Sequence, residues 1–305
     1  MFQYQGAYKD NGRDLHMKTF WSSVLVFILI YAACILLGLL MIVPFFVLDT
    51  GLAVLPAIAL FLLLILTAIF VFYPLAVGIM RYFAAAYRGR NFRFKDVFKV
   101  FSKGNYSKVI KMGLLTLIGY FIFSFAVGMI VQVLTMAVNA PLLAVFDPSN
   151  MESTSTGGQT GSVVAVIVLN LLVVLLSYIP YVLVTIYMFL VYMAYIDEPL
   201  TPTTEKFQMA WDVMFRSGES VMKLIFSNLI LWVVPIIVYA LFIIAAVLLG
   251  GFFAETAFIV LLSAGVLFML IAYLIVMYFM VGSITAYYFK GRDRLDQQHQ
   301  AQPQV

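Results

Sequence analysis

Three groups of residues have types and spacings that could do chemistry. Eight of the chain's 18 Lys and Arg fall within residues 88–111: Arg88, Arg90, Arg93, Lys95, Lys99, Lys103, Lys108 and Lys111, with Asp96 the one acidic residue among them. Phe94, Val97, Phe98 and Phe101 interleave with them at i, i+3, i+4 and i+7, which is one face of a helix. Cations beside a phenylalanine face are suited to anionic lipid: the charges meet headgroups and the rings enter the acyl boundary. The candidate contacts are Arg88, Arg90, Arg93, Lys95, Lys99, Lys103, Phe94, Phe98 and Phe101. The same charges would also serve topology alone. The second group is Arg81 with Asp197, Glu198 and Glu205. A guanidinium there can snorkel to headgroups, or pair with one of the three carboxylates and tie two basic segments together. The third group is Gln132, Asn139 and Asn170, neutral amides inside apolar stretches. If they converge they line a polar vestibule; otherwise they hydrogen-bond between helices.

Other chemistries lack their parts. No Asp, Glu, His, Lys or Arg lies near the middle of any apolar stretch, whereas proton relays and ion pathways are marked by intramembrane ionisable residues. The two histidines, His16 and His299, fall in the terminal segments, and Cys34 is the one cysteine. A metalloprotease ligand set and a Ser/His pair at membrane depth are therefore not expected. No phosphate-binding loop or dinucleotide fingerprint occurs. The expectation is a protein that is not an enzyme and holds no cofactor and no metal.

These residues sit on elements set by hydrophobicity. The 305 residues are 64% hydrophobic and 10% charged, with a mean hydropathy of +1.06. Soluble domains carry roughly 25% charged residues, so the solvent for most of this surface is lipid. The net charge of +4 is read as loop charge that sets topology, not as a nucleic-acid footprint. Apolar runs predict six spans, at about 19–48, 52–80, 109–140, 163–195, 221–249 and 256–290, with Pro74 a kink in the second. The first is too long for a cleaved leader. Residues 1–18 read as a polar lead-in, 147–162 as a flexible loop, 250–255 as a short turn and 291–305 as a disordered tail. All Lys and Arg fall in 9–18, 81–111, 206–223 and 290–294, all on one side of a six-span topology. The positive-inside rule then makes both termini cytoplasmic. The predicted fold is an all-α polytopic membrane helix bundle, with six transmembrane helices and two amphipathic cytoplasmic surface helices.

The second surface helix echoes the first. Phe207, Ala210, Trp211 and Met214 repeat the spacing, and Gly218 stands where Gly104 stands, each expected as a left-handed helix stop. Thr201 is placed to cap this helix, with Pro202 first and Glu205 in its first turn. Gly12 followed by Lys18 suggests a fainter third copy of the module. Tyr82, Tyr87, Tyr192, Tyr195, Tyr287 and Tyr288 end the even-numbered spans and are expected as an aromatic belt at headgroup level.

Residues 73–78 leading to Arg81, then 96–101, then 197–199 through Met214 and Gly218 to Trp232 carry a resemblance. In these segments the chain resembles an uncharacterised family of six-helix bacterial integral membrane proteins. That family is grouped with YciC-type inner-membrane proteins and with the membrane domain fused to some glycerophosphoryl diester phosphodiesterases. Asp212 departs from the small hydroxyl residue expected there. The resemblance covers about residues 15–290, implies no catalytic residues, and implies an envelope or transport-accessory role in the cytoplasmic membrane. The expected function is a non-enzymatic protein that engages anionic membrane lipids. The competing expectation is a facilitator or exporter of an amphipathic or hydrophobic solute, using a neutral cavity built on Gln132, Asn139 and Asn170.

Overall fold

The computed structural model describes residues 2–48, 50–145, 156–252 and 255–301. Asp49, most of the 147–162 segment and the last four residues lie outside them. Every regular element described is helical: α1 (Gln3–Asn11), α2 (His16–Val47), α3 (Thr50–Thr67), α4 (Tyr73–Tyr87), α5 (Asn105–Val145), α6 (Thr156–Asp197), α7 (Thr203–Phe215), α8 (Val221–Phe252) and α9 (Glu255–Ala301). A π-helical turn, Ala68–Phe72, joins α3 to α4, and a 3₁₀ stretch, Phe94–Phe101, precedes α5. Six helical segments are long and apolar enough to cross a membrane. The chain is an integral membrane helix bundle. The most apolar window of each spanning segment is at most 17% buried within the protein, so lipid covers the rest.

The chain forms two compact units. Leu114–Met188 makes one, and Met1–Gly113 with Phe189–Val305 makes the other. In the smaller unit, Tyr181 packs its ring against Tyr120 and Phe123. All the Lys and Arg residues belong to the larger unit.

In the larger unit the irregular π turn answers to Pro74. Proline has no N–H to give the carbonyl of Phe70, four residues back. The Tyr106 hydroxyl donates to that carbonyl at 3.0 Å instead, so the kink is satisfied from the first turn of α5. The α8–α9 hairpin is the most extensive helix pair, and Trp232 Nε1 donates to Met280 Sδ at 3.2 Å across it.

Several expectations change at the basic end. Residues 3–11 are a docked helix, not a lead-in: Tyr4, Gln5 and Tyr8 are buried against α9. The ring of Tyr8 fills the space beside Gly282, where any Cβ would fall 2.4 Å from Tyr8 Cδ1. Helix α9 runs on to Ala301, so 291–301 is ordered helix rather than a disordered tail. Helix α6 begins at Thr156, inside the segment expected as loop. Four of the six belt tyrosines are core: Tyr82, Tyr195, Tyr287 and Tyr288 are fully buried, whereas Tyr87 and Tyr192 are half-buried. The helices converge at this end and leave the four buried rings no headgroup surface.

Candidate functional site

The first basic segment turns on a 3₁₀ stretch, not an α-helix. Its shorter period puts Val97 and Val100 inward, and both are fully buried. The Tyr82 hydroxyl holds the start of the stretch through the Phe94 carbonyl at 2.6 Å. Gly78 allows the close approach of the middle, since a Cβ there would fall 2.5 Å from the Val97 carbonyl oxygen. Asp96 caps the turn by accepting from the Arg93 amide at 2.8 Å, and it pairs with Lys99 at 2.8 Å. Partial burial opposes its ionisation, but Lys99 and the Arg93 amide outweigh this and hold the carboxyl below its usual range.

The face expected to be buried in one plane is therefore divided. Phe98 is 46% exposed. Phe94 is half-buried and meets Phe98 edge-on, and Phe101 is half-buried and stacks on Tyr106. Arg90, Arg93, Lys95, Lys99 and Lys103 are exposed. Among the described residues only Lys99 of these five makes an ion pair. The stretch ends at Ser102, and Gly104 follows with φ +87°. Gly218 has φ +73°. Both are left-handed stops as expected, whereas Gly12 has φ −97° and does not share the device.

The second segment is α7. Ala210 and Met214 are buried as the pattern predicts, but Phe207 is half-buried, Trp211 is exposed, and Lys206 and Val213 take the remaining inner positions. The helix starts one residue later than expected and has no side-chain cap, because the Thr201 hydroxyl turns back to the Glu198 carbonyl at 2.9 Å. Lys206 donates to the Thr201 carbonyl at 2.6 Å and lies 5.5 Å from the centre of the Tyr195 ring. Burial lowers its pKa, and Lys108 lowers it further against the opposing pull of Glu198 and Glu205.

The two basic segments are joined by one ion pair and by hydrogen bonds from Lys108, but not through Arg81. Asp197 pairs with Arg88, which also lies over the Phe289 ring at 4.4 Å. Tyr288 donates to the other Asp197 oxygen at 3.3 Å. Glu198 pairs with Arg292 of α9, and Lys108 donates to the carbonyls of Pro199 and Leu200 at 2.9 and 3.0 Å. Glu205 is exposed. Arg81 sits 5.7 Å from the Tyr195 ring centre, its Nε and Nη2 buried and without hydrogen-bond partners. Arg88 is seven residues further along the same face of α4, about 10 Å nearer its end, and is the residue that reaches Asp197.

A hub the sequence reading missed lies beside this junction. Glu219 is almost fully buried, accepts from the Tyr4 hydroxyl at 2.7 Å, and pairs with Arg294 at 3.0 Å. Burial and the adjacent carboxylate raise the Tyr4 pKa, so the phenol stays a donor. Gln5 donates to Ser227 at 3.0 Å and to Asn228 at 2.8 Å, and Ser283 donates to the same Asn228 oxygen at 2.9 Å. The available signal was small: Tyr4 and Tyr8 are four apart, the spacing of one helix face.

In the smaller unit, Asn139 and Asn170 spend their amides on each other, at 2.8 and 3.4 Å. Asn170 also donates to the Val166 carbonyl at 3.0 Å. Gln132 is exposed on the surface of α5. Asn139 and Asn170 are thus brought together as a hydrogen-bonded pair that does not include Gln132. Among the described residues, no three His, Cys, Asp or Glu side chains are grouped to hold a metal ion. No family model matches the sequence, and no curated protein or solved structure is similar to it.

Proposed function

We propose that this chain is a non-enzymatic, lipid-engaging protein of a bacterial cytoplasmic membrane, with both termini cytoplasmic and an envelope-homeostasis or transport-accessory role. The observation that carries the lipid reading is the outer side of the first basic segment. Val97 and Val100 anchor it from within, while Arg90, Arg93, Lys95 and Lys103 stand outward beside exposed Phe98. Rigid cations next to an exposed ring favour anionic headgroups at the acyl boundary. The orientation rests on the one-sided distribution of Lys and Arg. The membership in the YciC-type family proposed from residues 73–81, 96–101 and 197–232 is compatible with this class.

The test is lipid selectivity. Each basic residue near an anionic surface is worth about 1 kcal/mol. Replacing Lys95, Lys99 and Lys103 together by Gln should lower the preference of the purified protein for phosphatidylglycerol over phosphatidylcholine at least tenfold, read by native mass spectrometry. Unchanged selectivity would sink the lipid reading.

A further inference from the structure

Helix α2 packs on α3 and α4, and α9 packs on α8, α1 and α4. The two meet where Tyr278 touches His16 and Phe20. Around that contact lies a cleft with two compartments that share Phe20, Val24, Leu274 and Tyr278. The outer one is ≈ 580 Å³, walled by Trp21, Ile271 and Ile275 among others. The inner one is ≈ 140 Å³ and reaches Ser23, Met80 and Phe83. Apart from the residues at one end and Ser23, Tyr31 and Tyr273 in the inner compartment, the walls are apolar and belong to membrane-spanning helices.

That end is polar and fixed. His16 Nδ1 lies 2.7 Å from the Tyr278 hydroxyl, and His16 Nε2 lies 2.8 Å from the Lys9 carbonyl oxygen. The docked α1 thereby holds Lys9 at the mouth, exposed and with no ion pair among the described residues. Trp21, 60% exposed, stands at the rim, the position interfacial aromatics favour. Deeper in, Ser23 Oγ is buried with no hydrogen-bond partner. A buried hydroxyl without an acceptor is costly, and an ester carbonyl would satisfy it.

We infer that this cleft is a binding site for one anionic glycerophospholipid, with an acyl chain between α2 and α9 and its phosphate beside Lys9. Charge complementarity and the surroundings select this occupant. The cleft opens among membrane-spanning helices, its polar end carries a cation with no ion pair among the described residues, and its walls offer an acyl chain apolar contact. The site deepens the lipid-engaging reading but is separate from the first basic segment, so the two can fail independently.

The test is native mass spectrometry of the full chain in mild detergent, titrated with phosphatidylglycerol or phosphatidylcholine. The wild type should retain one tightly held phosphatidylglycerol. Leu274→Trp, which fills the shared wall, should weaken it tenfold or more. Lys9→Gln should weaken phosphatidylglycerol about fivefold and leave phosphatidylcholine unchanged. The triple Lys95, Lys99 and Lys103 to Gln variant should keep this single lipid while losing the broader preference. If Leu274→Trp does not fold, the chain with Trp211→Phe and Trp232→Phe gives a second measurement. Its remaining Trp21 should be quenched saturably by phosphatidylglycerol brominated on the acyl chain, at about one lipid per protein. A retained lipid indifferent to Leu274→Trp, the absence of any tightly held lipid, quenching that does not saturate, or a dimer that Leu274→Trp abolishes would each overturn the inference. The last would assign the cleft to a second copy of the chain.

Discussion

In the first basic segment a 3₁₀ stretch lays its backbone against Gly78, whereas in the second a 13-residue α-helix buries a lysine beside Tyr195. Both carry the same spacing of large apolar residues and both end at a left-handed glycine. What each docks against decides the difference. In the first, contact is made by main chain, so the inner side chains are the small-waisted Val97 and Val100 and the phenylalanines are displaced outward. In the second, side chains make the contact, and Ala210, Val213 and Met214 fill it. A shared sequence pattern thus yields one segment held by backbone proximity and one held by side-chain packing.

The sharpest way to break that contrast is to add one methyl group to each. In Gly78→Ala the new Cβ meets the Val97 carbonyl at 2.5 Å, and main chain cannot step aside. Overpacking there should cost about 3 kcal/mol, offset by about 1 kcal/mol from alanine's better helix propensity. In Gly291→Ala the Cβ meets Val213 Cγ1 at 2.9 Å and Ser217 Oγ at 3.1 Å; these are side-chain atoms that can give by a few tenths of an ångström, so the net cost should be smaller than at Gly78, about 1 kcal/mol. Thermal unfolding of the two variants in detergent compares them directly. A Gly78→Ala protein as stable as Gly291→Ala would erase the distinction.

A smaller effect separates the segments by pH on the acid side. The folded Asp96 carboxyl lies below its unfolded value of 3.8. Its stabilisation is therefore complete above that pH and is lost as the pH falls through the folded value. Asp96→Asn removes the charge that pairs with Lys99 and should cost less than about 1 kcal/mol at neutral pH. Amide hydrogen exchange across residues 94–101, corrected for its intrinsic pH dependence, should speed up in acid for the wild type and already be faster at neutral pH in the variant.

The smallest effect lies on the alkaline side. Lys206 has a folded pKa below its unfolded 10.5. Its protonated form is thus penalised by folding, and the penalty is relieved as the pH rises from the folded value towards 10.5. Lys206→Met should change stability at neutral pH by less than about 1 kcal/mol, since buried charges are often replaced by apolar isosteres without loss. The variant should also lack the small alkaline rise. A loss of several kcal/mol would mean that the Thr201 carbonyl depends on the ammonium.

The spans were legible because an apolar run long enough to cross lipid has few alternative readings. Gly104 and Gly218 were legible because a positive φ selects glycine. Residues 3–11 and 291–301 were not, because polar residues at an end of the chain look alike whether solvated or docked. What orders them is remote: Glu198 and Glu219 for Arg292 and Arg294, and the empty flank of Gly282 for Tyr8. The period of the first segment was misread for a related reason. Spacing at i, i+3, i+4 and i+7 also contains the i, i+3 steps of a 3₁₀ turn, and only Gly78 decides between them. The partner of Arg81 failed on register, since Arg88 shares its face and stands nearer Asp197.

The bond from Tyr4 to Glu219 spans 215 residues of sequence. On a ribosome α1 therefore emerges, and the α4 part of its seat is made, long before α8 and α9 supply the rest. Four hydrophobic segments precede Glu219, the acceptor of Tyr4, and the acceptors of Gln5 and the Arg294 that pairs with Glu219 follow later still. Closure of this end therefore needs both the earliest and the latest helices of the chain. A chain stalled after α7 would lack Glu219 and Ser220 and leave the Tyr4 hydroxyl without acceptors, whereas the finished fold buries it.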